Sequence, residues 1–151
     1  MNYILAATIC FLVPLAQSTS IRFRDCSKDG KVEAVDVTPC NNPVMCDVKQ
    51  GSELAFSVKF NSDVASKGLT AKVIGHLPTH QSVPFPLPNP DGCKDSGISC
   101  PIVSGKEYTY KNSLQMDKTL PLIKVIVEYK MLDDAGNDLF CFEVPVQVVK
   151  G

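Results

Sequence analysis

The sequence predicts an all-β fold built as an antiparallel β-sandwich, and three observations support this prediction. Apolar and polar residues alternate with a period of two in several segments, and turn-forming residues separate those segments. Apolar residues rarely recur at the three- and four-residue spacing of a helix, while β-branched residues are frequent. Because a strand with one apolar face needs a second layer to cover it, we expect two packed sheets.

Three segments alternate strongly enough to predict strands with one buried face. Their predicted inward residues are, in chain order, Leu54, Phe56, Val58 and Phe60, then Ile123, Val125, Val127 and Tyr129, then Phe142, Val144, Val146 and Val148. Weaker alternation predicts further strands over residues 31–37, 72–77 and 107–112. Turn signals between the strands lie at residues 29–30, 50–51, 67–68 and 134–137.

A proline-rich segment at residues 84–90 interrupts this pattern. Its four prolines donate no backbone hydrogen bonds, so we expect an extended loop or a sheet edge there. Phe85 and Leu87 alternate with these prolines, and we expect both side chains to turn inward.

The N-terminal residues predict a secretory signal peptide over residues 1–18. Residues 1–14 carry an apolar run shorter than the roughly 20 residues that a membrane helix needs, and small residues follow at Ala16 and Ser18. We expect cleavage after Ser18, with Ser20 as the second choice and a buried N-terminal strand as the alternative reading. The remaining residues 19–151 have the usual size of one domain.

Composition and charge narrow the class of function. The chain has 15 basic and 16 acidic residues mixed along its length and a net charge of −1, so no basic stripe is available for nucleic acid. No Gly-x-Ser-x-Gly motif occurs, and both histidines, His76 and His80, are interpreted as surface or loop residues. We therefore predict no enzyme activity, no catalytic residue and no cofactor, and we expect a monomer.

The cysteine count also indicates export. Of seven cysteines, Cys10 falls in the predicted signal peptide, which leaves an even set typical of a disulfide framework: Cys26, Cys40, Cys46, Cys93, Cys100 and Cys141. Six cysteines allow fifteen pairings; short spacings favour local pairs, but the sequence by itself does not choose among them. Zinc binding is the competing interpretation, yet no two-residue spacing supports it, so we predict no metal site.

Several short motifs together resemble the ML lipid-recognition domain, and within it the Niemann-Pick type C protein two carriers. The motifs that carry the resemblance are Phe23-Arg24-Asp25-Cys26, Pro39-Cys40, Pro84-Phe85-Pro86, Pro90-Asp91-Gly92-Cys93, Cys100-Pro101-Ile102, Tyr108-Thr109-Tyr110 and residues 139–146. The resemblance covers essentially all of residues 19–151. It implies an immunoglobulin-like β-sandwich of two antiparallel sheets with three disulfides, Cys26–Cys141, Cys40–Cys46 and Cys93–Cys100.

The resemblance also implies that one apolar ligand enters between the sheets. It places Phe85, Met116, Leu120 and Pro121 around the entrance, and the alternation adds inward residues, so the predicted ligand contacts are Phe56, Phe85, Met116, Leu120, Pro121, Val125, Val127 and Val144. Ordinary core packing is the alternative interpretation for the strand residues in this set.

The sequence departs from the family's sterol carriers at the entrance. Those carriers usually have Val and Tyr where this chain has Met116 and Leu120, and they tend to have Trp where it has Tyr129 and Phe142. Because Met and Leu give flexible apolar walls, we expect a long-chain fatty acid or alcohol, such as a chemical signal, more than a sterol.

The resulting hypothesis is a secreted, extracellular lipid-transport protein that makes transient contacts with a membrane, another carrier or a receptor. A lysosomal sterol carrier and a lipid-presenting partner of a receptor are the alternatives.

Overall fold

The computed structural model describes Leu12 and residues 18–151, so the predicted signal peptide lies almost entirely outside the described residues. The described residues form ten strands and no helix: β1 Thr19–Ser20, β2 Arg24–Asp25, β3 Gly30–Thr38, β4 Cys46–Lys49, β5 Glu53–Ser62, β6 Thr70–His76, β7 Ser82–Phe85, β8 Glu107–Gln115, β9 Lys124–Leu132 and β10 Asp138–Val149. No helix in this part of the chain is long and apolar enough to cross a membrane.

The strands form two sheets that pack face to face. One sheet has the order β1-β3-β5-β8, and the other follows β2-β10-β9-β6-β7, with β4 also paired to β10. Every pairing is antiparallel except the one between β4 and β10, which runs parallel from Cys46↔Val146 to Lys49↔Val149. The predicted sandwich of two antiparallel sheets is therefore confirmed, with this one parallel pair as an exception.

All six predicted strands are present. The strongly alternating segments form β5, β9 and β10, and the weaker segments form β3, β6 and β8. Sequence reasoning missed β1, β2 and β4, which have only two to four residues each and are too short to show alternation. The proline-rich segment begins as the edge strand β7, where the missing N–H of Pro84 interrupts no central ladder.

One half of the space between the sheets is filled by large side chains. Phe60 and Phe140 have no exposed surface, and their ring centroids lie 4.8 Å apart. Met131 packs beside them and leaves no room at Gly92, where a Cβ atom would lie 2.6 Å from the Met131 sulfur. This half is a close-packed core of the kind found in ordinary sandwiches.

Three disulfides fix the loops and the chain ends. The pairs are Cys26–Cys141, Cys40–Cys46 and Cys93–Cys100, which confirms the pairing implied by the family resemblance. Cys26–Cys141 joins residues 115 apart and ties β2 to β10, while the other two pairs close loops of six and seven residues.

Removal of the long-range disulfide is expected to cost more stability than removal of a local one. In the chain-entropy model, the loop closed by Cys26–Cys141 contributes about 5 kcal/mol and that closed by Cys93–Cys100 about 2 kcal/mol. Urea unfolding of the Cys26→Ser/Cys141→Ser and Cys93→Ser/Cys100→Ser variants measures both losses. A larger loss for the second variant would contradict this assignment.

Candidate ligand-binding cavity

The other half of the space between the sheets is hollow. It encloses an apolar cavity of about 320 Å³, within the range of ligand pockets, which runs from roughly 300 to 1,000 Å³. The lining residues come from both sheets and from the loop before β9: Ile21, Val35, Val37, Cys46, Val48, Leu54, Phe56, Val73, Gly75, Leu77, Val83, Pro84, Phe85, Leu114, Met116, Leu120, Pro121, Ile123, Val125, Val127, Tyr129, Phe142, Val144, Val146 and Val148.

Side-chain size explains why this half is hollow. Valine is the most frequent residue of the cavity lining, at ten of 25 positions, whereas Phe60, Phe140 and Met131 fill the other half. Two sheets lie about 10 Å apart, a gap that paired aromatic side chains fill and paired valines do not. The sizes of the inward-facing side chains thus determine which half of the space between the sheets is hollow.

The register of β9 and β10 gives the cavity its direction. Val125 pairs with Val146 near the loop end, Val127 pairs with Val144, and Tyr129 pairs with Phe142 next to the filled core. Four residues of strand separate Val125 from Tyr129, a depth of about 13 Å. The rings of Tyr129 and Phe142 lie nearly parallel, with centroids 5.6 Å apart, and close the inner end.

The exposed lining residues mark the mouth. Val83 is 48% exposed, and Pro84 and Pro121 are also exposed, while Phe85 and Leu120 are half-buried. The mouth therefore lies between the edge strand β7 and the loop that joins β8 to β9.

Comparison with known proteins identifies the family. Residues 20–148 match the family model of the ML domain. The chain belongs to the ML-domain family.

Individual ML-domain relatives match over nearly the whole chain. NPC intracellular cholesterol transporter 2 of Mus musculus is 44% identical over 147 residues, 95% of this chain and 97% of that protein. The Danio rerio protein of the same name is 41% identical, over 99% of both chains. The crystal structure of a Niemann-Pick type C2 protein from the Japanese carpenter ant superposes with a TM-score of 0.79 at 28% identity, covering 85% of this chain and all of that one.

All eight predicted contact residues of this ML-domain protein line the cavity. Four form its walls, namely Phe56, Val125, Val127 and Val144, and the other four, Phe85, Met116, Leu120 and Pro121, lie at or near the mouth. Their contact with a ligand stays a prediction. The alternation of β3 could have supplied Val35 and Val37 as well, whereas no sequence signal pointed to Val48 in the short strand β4.

Met116 lies deeper in the cavity than the predicted entrance position. Met116 is only 7% exposed and packs with Val48 and Leu114 instead of standing at the rim. Its amide donates to the carbonyl of Ser52, at 2.8 Å. The carbonyl of Leu120 accepts a hydrogen bond from the Gln50 side chain. These hydrogen bonds hold the two backbones, while the flexibility expected of the Met116 and Leu120 side chains stays a prediction.

A polar pair bridges the two sheets at the inner end of the cavity. The hydroxyl oxygens of Tyr110, in β8, and Tyr129, in β9, lie 2.7 Å apart, and Asn112 donates its amide to the Tyr110 oxygen at 2.9 Å. Burial is the main cause that raises the pKa of both tyrosines, so both stay protonated at neutral pH.

His76 lies on the outward surface of its sheet and has two hydrogen-bond partners. It lies in β6 with its ring partly buried, its Nδ1 atom 2.9 Å from the Ser82 hydroxyl and its Nε2 atom 2.8 Å from a Glu128 carboxylate oxygen. His80 lies in the turn after β6, as expected. His76 is thus a surface histidine, as predicted, and it takes part in a charge network on the outward face of the six-stranded sheet.

Each acidic group of this network has a basic partner within it. Burial alone would raise the pKa of the Glu128 carboxyl, but hydrogen bonds from His76 and Lys130 outweigh burial and lower it. Lys130 lies 3.0 Å from Glu128, and Arg24 lies 3.3 Å from Glu143, the cross-strand neighbour of Glu128. These outward carboxylates are thus paired and not simply solvated. His76, Glu128 and Glu143 lie close enough together to hold a metal ion. The ion pairs that these residues make already explain why they are close.

A second concavity of about 710 Å³ lies on the outer side of the four-stranded sheet. Its charged lining residues are of both signs, namely Asp36, Asp95, Lys94 and Lys111. A groove lined in this way gives an apolar ligand little to bury against, so the cavity between the sheets is the better candidate site.

Phe85 is expected to affect binding more than folding, because it is half-buried at the mouth. Phe85→Ala should reduce the free energy of unfolding by about 1 to 2 kcal/mol and weaken binding of a fluorescent apolar probe by about 1 to 3 kcal/mol. The matched core change Phe60→Ala should cost about 3 to 5 kcal/mol of stability. Equal losses of stability in the two variants would mean that Phe85 is a core residue, which would contradict its placement at the mouth.

Proposed function

We propose that the protein is a carrier that binds one sterol in the cavity between its sheets and moves it through water. The observation that carries the proposal is the cavity itself, which is apolar, closed at Tyr129 and open at the mouth. Each methylene group that leaves water contributes about 0.8 kcal/mol, so a mostly hydrocarbon ligand gains enough to offset the cost of ordering.

Two arguments favour a sterol over a fatty acid. Rigid ligands lose less conformational freedom on binding than acyl chains. Relatives up to 44% identical are named cholesterol transporters. The alternative of a sterol carrier is therefore better supported than the fatty-acid or semiochemical carrier expected from the sequence.

A carrier role is favoured over an enzyme role by the chemistry of the walls. Among the described residues that line the cavity, Tyr129 alone carries a hydroxyl, and burial raises the pKa of that hydroxyl so that it remains a neutral donor. The paired residues His76 and Glu128 lie on the outward face of their sheet, away from this lining.

Delivery requires contact with a donor and an acceptor of the lipid. Val83, at the mouth, and Leu122, in the adjoining loop, are 48% and 58% exposed, so the rim offers apolar surface for transient contact with a membrane. The three disulfides favour an oxidising compartment reached through the secretory pathway.

Filling the cavity should weaken sterol binding without loss of the fold. Val127→Phe places a larger ring in the middle of the cavity, where it occupies space that the ligand needs. Ile126→Phe is the matched control, because Ile126 directly precedes Val127 in β9 and is 47% exposed. Displacement of a fluorescent sterol by cholesterol should show an affinity loss of roughly tenfold or more for Val127→Phe, about 1.4 kcal/mol or above, and little change for Ile126→Phe.

The urea midpoints of both variants show whether they remain folded. Unchanged cholesterol affinity in a folded Val127→Phe variant would contradict the proposal. If a fatty acid displaced the fluorescent sterol at much lower concentrations than cholesterol does, the hypothesis of a fatty-acid carrier would be favoured instead.

A further inference from the structure

The two sides of the mouth are held in different ways. On one side, Val83 and Phe85 lie in the edge strand β7, whose backbone pairs with β6 at four positions. On the other side, Leu120 and Pro121 lie in the loop of residues 117–122, which contains no strand. Because a ladder of hydrogen bonds fixes the first side, the loop is the part of the rim that can move at the smaller cost.

One hydrogen bond ties the middle of this loop to a distant part of the chain. The side-chain amide of Gln50 donates to the carbonyl of Leu120. The other hydrogen bonds of the loop are local, such as the two that Thr119 donates to the Asp117 carboxylate. Among the described residues, Gln50 is thus the only hydrogen-bond link between residues 117–122 and a segment distant in sequence.

Gln50 itself is held by the backbone around it. It directly follows β4, and its own amide donates to the carbonyl of Val149 in β10 at 3.0 Å. The next residue, Gly51, donates its amide to the Met116 carbonyl at 2.9 Å, just before the loop begins. Gln50 is also half-buried, so water competes less well for the Leu120 carbonyl than it would at an exposed site. The side-chain bond therefore connects the loop to a strand that lines the cavity.

We propose that Gln50 is a positioning residue that holds the 117–122 loop at the mouth and so sets how fast the ligand enters and leaves the cavity. This inference rests on the proposed sterol-carrier function. A sterol passes Leu120 and Pro121 to reach the cavity wall, whereas Gln50 does not line the cavity. Loss of the bond should therefore speed entry and exit by the same factor and leave the affinity nearly unchanged.

Gln50→Glu tests the proposal, because it keeps the size of the side chain and replaces the donor amide with a carboxylate that donates no hydrogen bond when ionised. Gln50→Lys supplies a donor again and is the rescue variant. Gln115→Glu is the matched control, since the Gln115 side chain donates to the Gly51 carbonyl at 3.0 Å and does not line the cavity. Stopped-flow fluorescence with dehydroergosterol, a fluorescent sterol, measures both rates, and equilibrium titration measures the affinity. Urea unfolding establishes that each variant is folded.

Gln50→Glu should raise the association and dissociation rates each by about three- to tenfold, the effect of one hydrogen bond on loop opening, and change the dissociation constant by less than about twofold. Gln50→Lys and Gln115→Glu should both keep rates close to those of the wild-type protein. Unchanged rates in a folded Gln50→Glu variant, a weaker affinity without faster association, or equally fast exchange in Gln50→Lys would overturn the role of Gln50 and leave the sterol carrier standing. Failure of the wild-type protein to bind the sterol would overturn the proposed function itself.

Discussion

The unequal filling of the space between the two sheets is the constraint on which the rest of the structure depends. Phe60, Phe140 and Met131 close one half, and facing valines such as Val127 and Val144 leave the other half hollow. Both halves share the same strands, so the packed half holds β5, β9 and β10 in place where they border the cavity. The cavity is therefore already present between the packed sheets.

The hollow half has an energetic cost that a ligand can offset. Wall atoms around a void lack the contacts that neighbours would supply, and a bound apolar ligand restores them. The Tyr110–Tyr129 hydrogen bond spans the sheets where filled and hollow halves meet, so it limits how deep a ligand can reach. Binding and stability are thus linked, and an occupied cavity should make the native state harder to unfold.

Much of this arrangement could be predicted from the sequence, because alternation reports directly on strand faces. The inward sets of β5, β9 and β10 and the wall residues Phe56, Val125, Val127 and Val144 followed from a period of two. The family motifs supplied the mouth residues and the disulfide pairing. Short strands left no periodic signal, so β4 and its parallel pairing with β10 were missed.

Other features depend on contacts between segments distant in sequence. Met116 was expected at the entrance, but it is only 7% exposed because it packs against Val48 of β4 and Leu114 of β8. His76 was expected at the surface, and its contact with Glu128 arises because β6 and β9 are adjacent. The Tyr110–Tyr129 pair joins different sheets, so its formation depends on how those sheets pack, which no local pattern records.

The central claim is that a sterol occupies the space between the sheets, and a crystal structure of the protein saturated with cholesterol tests it most directly. The account predicts one sterol per chain in the cavity, in contact with the side chains of Val127 and Val144. A sterol bound in the polar concavity on the outer side of the four-stranded sheet, with the cavity between the sheets left empty, would contradict it.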